Sequence, residues 1–390
     1  GFPLWKLGLL VSVYFVGSSV GLLPMGVLSD GYDRRITLSG SLAVVGVGYL
    51  LFGLSPSIGG ALPTLDVAGH AASGPYLVMV CSLFVAGVGT SAHVPVGVPL
   101  LTANATPETR GRLLGVWGAG SKFGDAATPA AVGVLITVLA WDRIVLLFSA
   151  LCLCLAAVLF VVLGSDRFDT APPENDEGDG GDRERPSLDR RRYRYPMVAL
   201  MGYFAAYQVV VQGVVTFVPT FVTAVYAYSL DLGAIHVGTE SFADFVLSVL
   251  LVGAGLSRFV GGALVDRYEH RAVLVGSLLL AAVALAAVAV LALPALALVA
   301  VLVVFGAMLW GNSPARDSLI SDLTPAEREG RTFSYLFTAS RVFGALSPLL
   351  VGLVADGVGI RVGFQYLAVV TVLAALSVAT LFSDRVFVAP

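Results

Sequence analysis

Long uninterrupted apolar blocks constrain this chain more than any other feature. Leu7 to Leu28, Ile144 to Leu163 and Ala272 to Leu293 each run for about 20 residues with almost no charge. That is the length an α-helix needs to cross ~30 Å of hydrocarbon. Backbone polar groups inside a bilayer must be satisfied by the structure itself, so only helices and closed barrels span one. The short alternating segments of a barrel do not occur here. Composition agrees: 57% of the 390 residues are hydrophobic and 13% are charged, with a mean hydropathy of +0.88. The charged share is about half that of a soluble domain. The expected class is an all-α polytopic membrane protein.

Eleven spans are expected, near 7–28, 36–54, 76–101, 113–140, 144–164, 197–223, 242–264, 272–292, 295–315, 332–354 and 363–382. Lys and Arg are divided unequally between the loops that separate them. One set of loops holds 17 of the 23, including Arg34, Arg35, Arg110, Arg112, Arg316, Arg328 and Arg331; the other holds only Lys6, Arg143 and Arg361. By the positive-inside rule the rich set is cytoplasmic, which puts the C-terminus inside a cytoplasmic (plasma) membrane and Gly1 outside. An odd number of spans suggests a twelfth helix ahead of Gly1.

Residues 165–196 carry nine acids and seven arginines with few apolar groups. Such a segment cannot bury enough surface to fold alone and reads as a flexible cytoplasmic linker. It divides the chain into an N-terminal half, 1–164, and a C-terminal half, 197–390. The net charge of −3 offers no footprint for nucleic acid. Cys81, Cys152 and Cys154 all lie in apolar blocks and imply no disulfide framework.

The halves repeat each other. Gly26-Val-Leu28-Ser-Asp30-Gly-Tyr32-Asp-Arg-Arg35 aligns with Gly262-Ala-Leu264-Val-Asp266-Arg-Tyr268-Glu-His-Arg271, with five identities in ten. Thr106-Pro107 matches Thr324-Pro325, and Gly111-Arg112 matches Gly330-Arg331, as do Ser121/Ser340, Pro129/Pro348 and Gly133/Gly352. A repeated G-x-L-x-D-x-x-x-x-R at the end of a span resembles the signature of the major facilitator superfamily, and the likeness covers essentially the whole chain. It implies a secondary transporter of two six-helix halves, here helices 2–6 and 7–12, working by alternating access. The first copy departs from the family pattern, with Gly31 in place of a basic residue and Asp33 in place of a glycine.

The resemblance also assigns a gate. A carboxylate at a helix end is stabilised by the positive N-terminus of a neighbouring helix. Asp30 would face the start of the span near Arg331, and Asp266 the start of the span near Arg112. Arg34, Arg35, Arg267 and Arg271 complete the two copies.

Charges within spans point to the substrate. A cation at the centre of a spanning helix costs roughly 2.5–3.5 kcal/mol, so it faces a cavity or a partner. Lys122 and Arg341 each lie ten residues past the matched Arg112 and Arg331, about 15 Å deep. Arg258 lies about 12 Å in from the Asp266 end of its span. Asp125 shares a helical face with Lys122, but no carboxylate within the spans answers Arg258 or Arg341. An anionic small-molecule substrate is therefore expected, as in the family's organic-anion branches. Gln208 and Gln212 form a polar stripe, with Trp310 and Asn312 opposite. His93 and Asp125 are the candidate carriers of a coupling proton.

Two alternatives remain. Gly120, Gly124, Pro129 and Gly133 loosely follow the glycine- and proline-rich helix five of drug/proton exporters, although Lys122 and Asp125 interrupt it. A non-transporting receptor or sensor would need a folded signalling module, which neither linker nor tail can form. No cofactor, metal or nucleotide motif is visible, so an ion gradient or a counter-substrate must drive transport. A monomer in the lipid bilayer, rather than an enzyme, is expected.

Overall fold

The computed structural model describes residues 2–67, 70–165, 168–170, 190–232, 235–265, 267–323 and 329–382. Helices α1 (Leu4–Gly31), α2 (Arg34–Gly53) and the one-turn α3 (Ser55–Gly59) lead to a hairpin of β1 (Leu65–Val67) and β2 (His70–Ala72). Next come α4 (Gly74–Thr90), α5 (His93–Ala103), α6 (Pro107–Leu135) and α7 (Trp141–Val162). Helix α8 (Arg190–Phe221) passes through a π turn, Val222–Tyr226, into a second hairpin, β3 (Leu230–Leu232) and β4 (Ile235–Val237). The chain closes with α9 (Thr239–Val265), α10 (His270–Val290), α11 (Ala295–Gly311), α12 (Ser313–Leu323), α13 (Glu329–Val358) and α14 (Ile360–Ala379). Between α13 and α14, Gly359 has φ +98°, a left-handed conformation that a side chain would strain.

Among the described residues, ten helical stretches are long and apolar enough to cross a membrane. The span expected at 113–140 corresponds to α6, whose described apolar part is Phe123–Leu135.

Two of the ten stretches are broken. Gly74–Ala103 is interrupted between α4 and α5, and Ala295–Ile320 between α11 and α12. Each break precedes a proline, Pro95 or Pro314, within the first turn of the new helix. Proline lacks the N–H that would carry the ladder on from the preceding turn but is tolerated in a first turn. The two prolines are related by the same shift in sequence as Gly111 and Gly330, so the break is part of the repeat. It also corrects the loop reading of Arg316. The expected span at 295–315 continues as α12, and Arg316 lies in that helix with its side chain 12% exposed.

By contacts the chain forms two compact units. The smaller comprises Val13–Gly118 and Leu139–Leu188. Small residues set its packing, because helices in lipid approach closely only where side chains are short. Gly46 and Gly53 of α2 abut Leu153 and Leu146 of α7, and Gly48 abuts Ala86 of α4. Buried Ser149 donates to the Gly46 carbonyl at 2.7 Å. Gly87 of α4 lies against the Tyr14 carbonyl of α1, where a Cβ has no room.

The larger unit comprises Gly1–Ser12, Ala119–Val138 and Asp189–Pro390. Its core runs through α8, α9, α10, α11 and α14, with Phe221 stacked on Phe364 at 4.0 Å. The free N–H groups of Leu4 and Trp5 at the start of α1 donate to the Asp356 carboxylate at 3.0 and 2.7 Å. That meets both the hydrogen-bonding and dipole needs of a helix N-terminus. Pro348 interrupts the ladder of α13, and the Leu349 N–H donates to Ser12 Oγ at 3.1 Å.

Candidate functional site

The site in the larger unit is built on one face of α8. Tyr203 and Tyr207 lie one turn apart there, their ring centroids 5.7 Å apart. The break before α12 brings Arg316 over this face, 5.4 Å from the Phe204 ring centroid and 5.9 Å from that of Tyr207. Aromatic faces attract a guanidinium at such distances. Arg316 Nε also donates to Asp317 Oδ1 at 2.8 Å, and the Asp317 side chain is 47% exposed. Tyr207 interacts with the Ser313 hydroxyl and lies within the fields of both Arg316 and Arg258.

Arg258, on α9, is half-buried, and its buried Nε has no hydrogen-bond partner among the described residues. The Tyr203 hydroxyl is fully buried and likewise unpartnered. A buried donor without an acceptor costs about 1–3 kcal/mol. Each of the two is a buried donor that no described side chain satisfies. Arg341, on α13, is half-buried and has no ion pair among the described residues.

The other expected residues fall as follows. Gln208 packs against Gly344 of α13, and Gln212 is half-buried one turn further on. Trp310 lies in the core, edge-on to Phe305. Asn312 caps α11, its Nδ2 donating to the Met308 carbonyl at 3.2 Å while its buried Oδ1 is unpartnered. Asp125 is exposed on α6. Asp266 lies outside the described residues, as do the side chains of Asp30, Arg112, Lys122 and Arg331.

In the smaller unit His93 opens α5, exposed, with its ring stacked on Trp117 at 4.3 Å. Gly97, one turn later, leaves room for the Trp117 ring. The residues of the first signature copy make local contacts. Asp33 caps α2 by accepting from the Arg35 N–H at 2.8 Å, so the departure from glycine has a structural use. Arg35 stacks on Phe160 at 3.9 Å, and Arg34 is buried. Arg267 of the second copy is exposed, and Arg271 donates to the Leu381 carbonyl at 2.7 Å.

Three features escaped the sequence reading. Arg316 and Asp317 follow a polar Asn-Ser-Pro run that looks like a loop; the matching proline at 95 was the available signal. The third is Asn104, whose side chain exchanges two hydrogen bonds with the Asp169 backbone, at 2.8 and 2.7 Å. Nothing local in the sequence marks that pairing.

Comparison with known proteins bears on this architecture. In solved structures, the fold matches a bacterial homologue of the human lysosomal transporter Spinster (16% identity, 99% of this chain and 90% of that chain, TM-score 0.73). It also matches a D-xylose–proton symporter (16% identity, 96% and 87%, TM-score 0.71). A third match is the nucleoside transporter NupG (13% identity, 98% and 91%, TM-score 0.69). At these identities the likeness concerns the fold alone. No curated protein matches the sequence. The family model of the Major Facilitator Superfamily matches residues 6–239 and 230–389, and the chain belongs to that superfamily as a multi-pass membrane transporter, not an enzyme.

Proposed function

We propose that this secondary transporter moves a small anionic solute by alternating access in the cytoplasmic membrane, with the linker and C-terminus on the cytoplasmic side. The observation that carries the reading is the buried Arg258 Nε, which lacks an acceptor among the described residues, in a guanidinium whose charge reaches Tyr207. A half-buried cation in a membrane helix without a counter-charge among the described residues favours an anionic guest. Arg341 adds a further half-buried cation in the same unit. Tyr203, Phe204 and Tyr207 surround Arg316 with apolar surface, which suits a compact organic anion. Residues 1–164 and 197–390 serve as the two halves that rock about the site, Gln212 contributes to it, and Lys122 is the third cation assigned to the substrate. Protons are the coupling ion, carried by His93 and Asp125, which are exposed on their helices.

The test uses proteoliposomes loaded with a pH-reporting dye. Lactate, oxalate or phosphate outside should change the internal pH, and xylose, uridine or tetraphenylphosphonium should not. Removing one partner of a buried charge contact costs about 2 kcal/mol or more, roughly 30-fold in affinity. Arg258→Gln should lose the anion response to at least that extent. A response to the hydrophobic cation alone would favour a drug exporter instead.

A further inference from the structure

A second ligand site lies in the larger unit, away from the tyrosine face. A cavity of about 280 Å³ opens between α9 and α10 and is floored by α11. Gly253 and Gly261 of α9 and Gly311 of α11 line it, and these glycines let α9 and α11 pack closely at its floor. At 1.5 Å per residue, the stretch from Gly253 to Gly261 makes it about 12 Å long. At the ~30 Å³ that a water occupies, there is room for roughly nine groups of that size.

The hydroxyls on its walls are engaged within their own helices, whereas Asn312 uses only its Nδ2 and keeps a buried, unpartnered Oδ1. Ser257 donates to the Ala254 carbonyl at 2.8 Å, Ser277 to that of Leu274 at 3.0 Å, and Asn312 to that of Met308 at 3.2 Å. What the cavity offers a guest is therefore mostly hydrocarbon, with one amide oxygen at its α11 wall. Leu256 and Val260 at its rim are each 62% exposed. All three helices that form its walls contain stretches long and apolar enough to cross a membrane, which suits a guest taken from the bilayer. Six residues beyond Gly261, just past the end of α9, Arg267 is exposed and has no ion pair among the described residues. A slot for a hydrocarbon chain that ends near a free guanidinium matches an amphiphile with an anionic head.

We propose that this crevice holds a phospholipid of the surrounding bilayer, one acyl chain lying along α9 and the phosphate on Arg267. The bound chain fills the space beside the junction of α11 and α12, the break that places Arg316 in the solute site. Lipid thereby supports the geometry of that break from outside.

Native mass spectrometry of the full chain, titrated with phosphatidylglycerol or phosphatidylcholine, tests the proposal. Ser277→Phe fills the crevice from α10, whereas Ser277→Ala leaves it open; both remove the same hydroxyl. The filled variant should lose the bound lipid and the open one keep it, with Ala307→Leu filling from α11 if Ser277→Phe does not fold. Arg267→Gln should weaken phosphatidylglycerol about fivefold, the value of one basic residue beside an anionic membrane surface. Phosphatidylcholine, whose choline offsets its phosphate, should change less. Equal lipid binding by the filled and open variants would overturn the proposal. So would displacement of the lipid by inorganic phosphate alone, which would mean that the head group and not the chain is recognised.

Discussion

Arg258 and Arg316 differ in one respect that decides their chemistry. Arg316 has Asp317 at 2.8 Å and two aromatic rings beneath it, whereas the Arg258 Nε is buried with no acceptor. If an anion enters beside Tyr207, it meets the field of both arginines and the opposing charge of Asp317. Asp317→Asn should therefore have opposite effects on two measurements. The stability of the ligand-free protein should fall, by up to about 1 kcal/mol, because Arg316 keeps an acceptor but loses the charge on it, at a half-exposed partner. Affinity for oxalate should rise, because a competing carboxylate is gone; unchanged or weaker oxalate binding would remove Asp317 from the site. The sequence was informative for Arg258 and Arg341, because a lone cation inside an apolar block stands out. It misled for Arg316. Hydropathy averages over a window, and the polar residues around a helix break look the same as those of a loop.

At the level of elements, breaks and anchors account for most of what the apolar pattern left unread. The interruptions before Pro95 and Pro314 occur at matching places in the repeat, and each is followed by a helix bearing a site residue, His93 or Arg316. Periodicity located the spans but not the point where the chain changes direction inside one. The start of the central linker is similar. Composition marks residues 165–196 as a single polar segment, yet Asp169 is clasped by Asn104, and the Arg34 N–H donates to the Thr170 carbonyl at 2.9 Å. That anchorage joins the ends of α2, α5 and α7 through three residues of the linker. Two hydrogen bonds at about 1 kcal/mol each hold the Asp169 backbone, one of them engaging its amide N–H. Asn104→Ala should speed its hydrogen exchange by about tenfold or more, and exchange at the wild-type rate would show that the clasp does not form. Such contacts connect residues distant in sequence through backbone groups that every residue carries, so no motif announces them.

The whole molecule was the most legible scale. Apolar blocks of membrane length, a repeated acidic–basic signature and a charged central segment together specified a helical membrane transporter of the Major Facilitator Superfamily, and the family match covers nearly all of the chain. Solute choice is less legible, because it depends on a few polar atoms whose surroundings come from several helices. Here the account rests on the Arg258 Nε, which has no acceptor among the described residues. The most direct measurement is thermal unfolding of the purified full chain against lactate, oxalate and phosphate, then xylose and uridine, then tetraphenylphosphonium. A guest that binds only the folded state adds ~2.7 kcal/mol of stability at a hundred times its dissociation constant, an effect large enough to read. The account predicts that anions alone raise the melting temperature and that Arg258→Gln abolishes the rise. Stabilisation by tetraphenylphosphonium, or an anion effect that persists in Arg258→Gln, would contradict it.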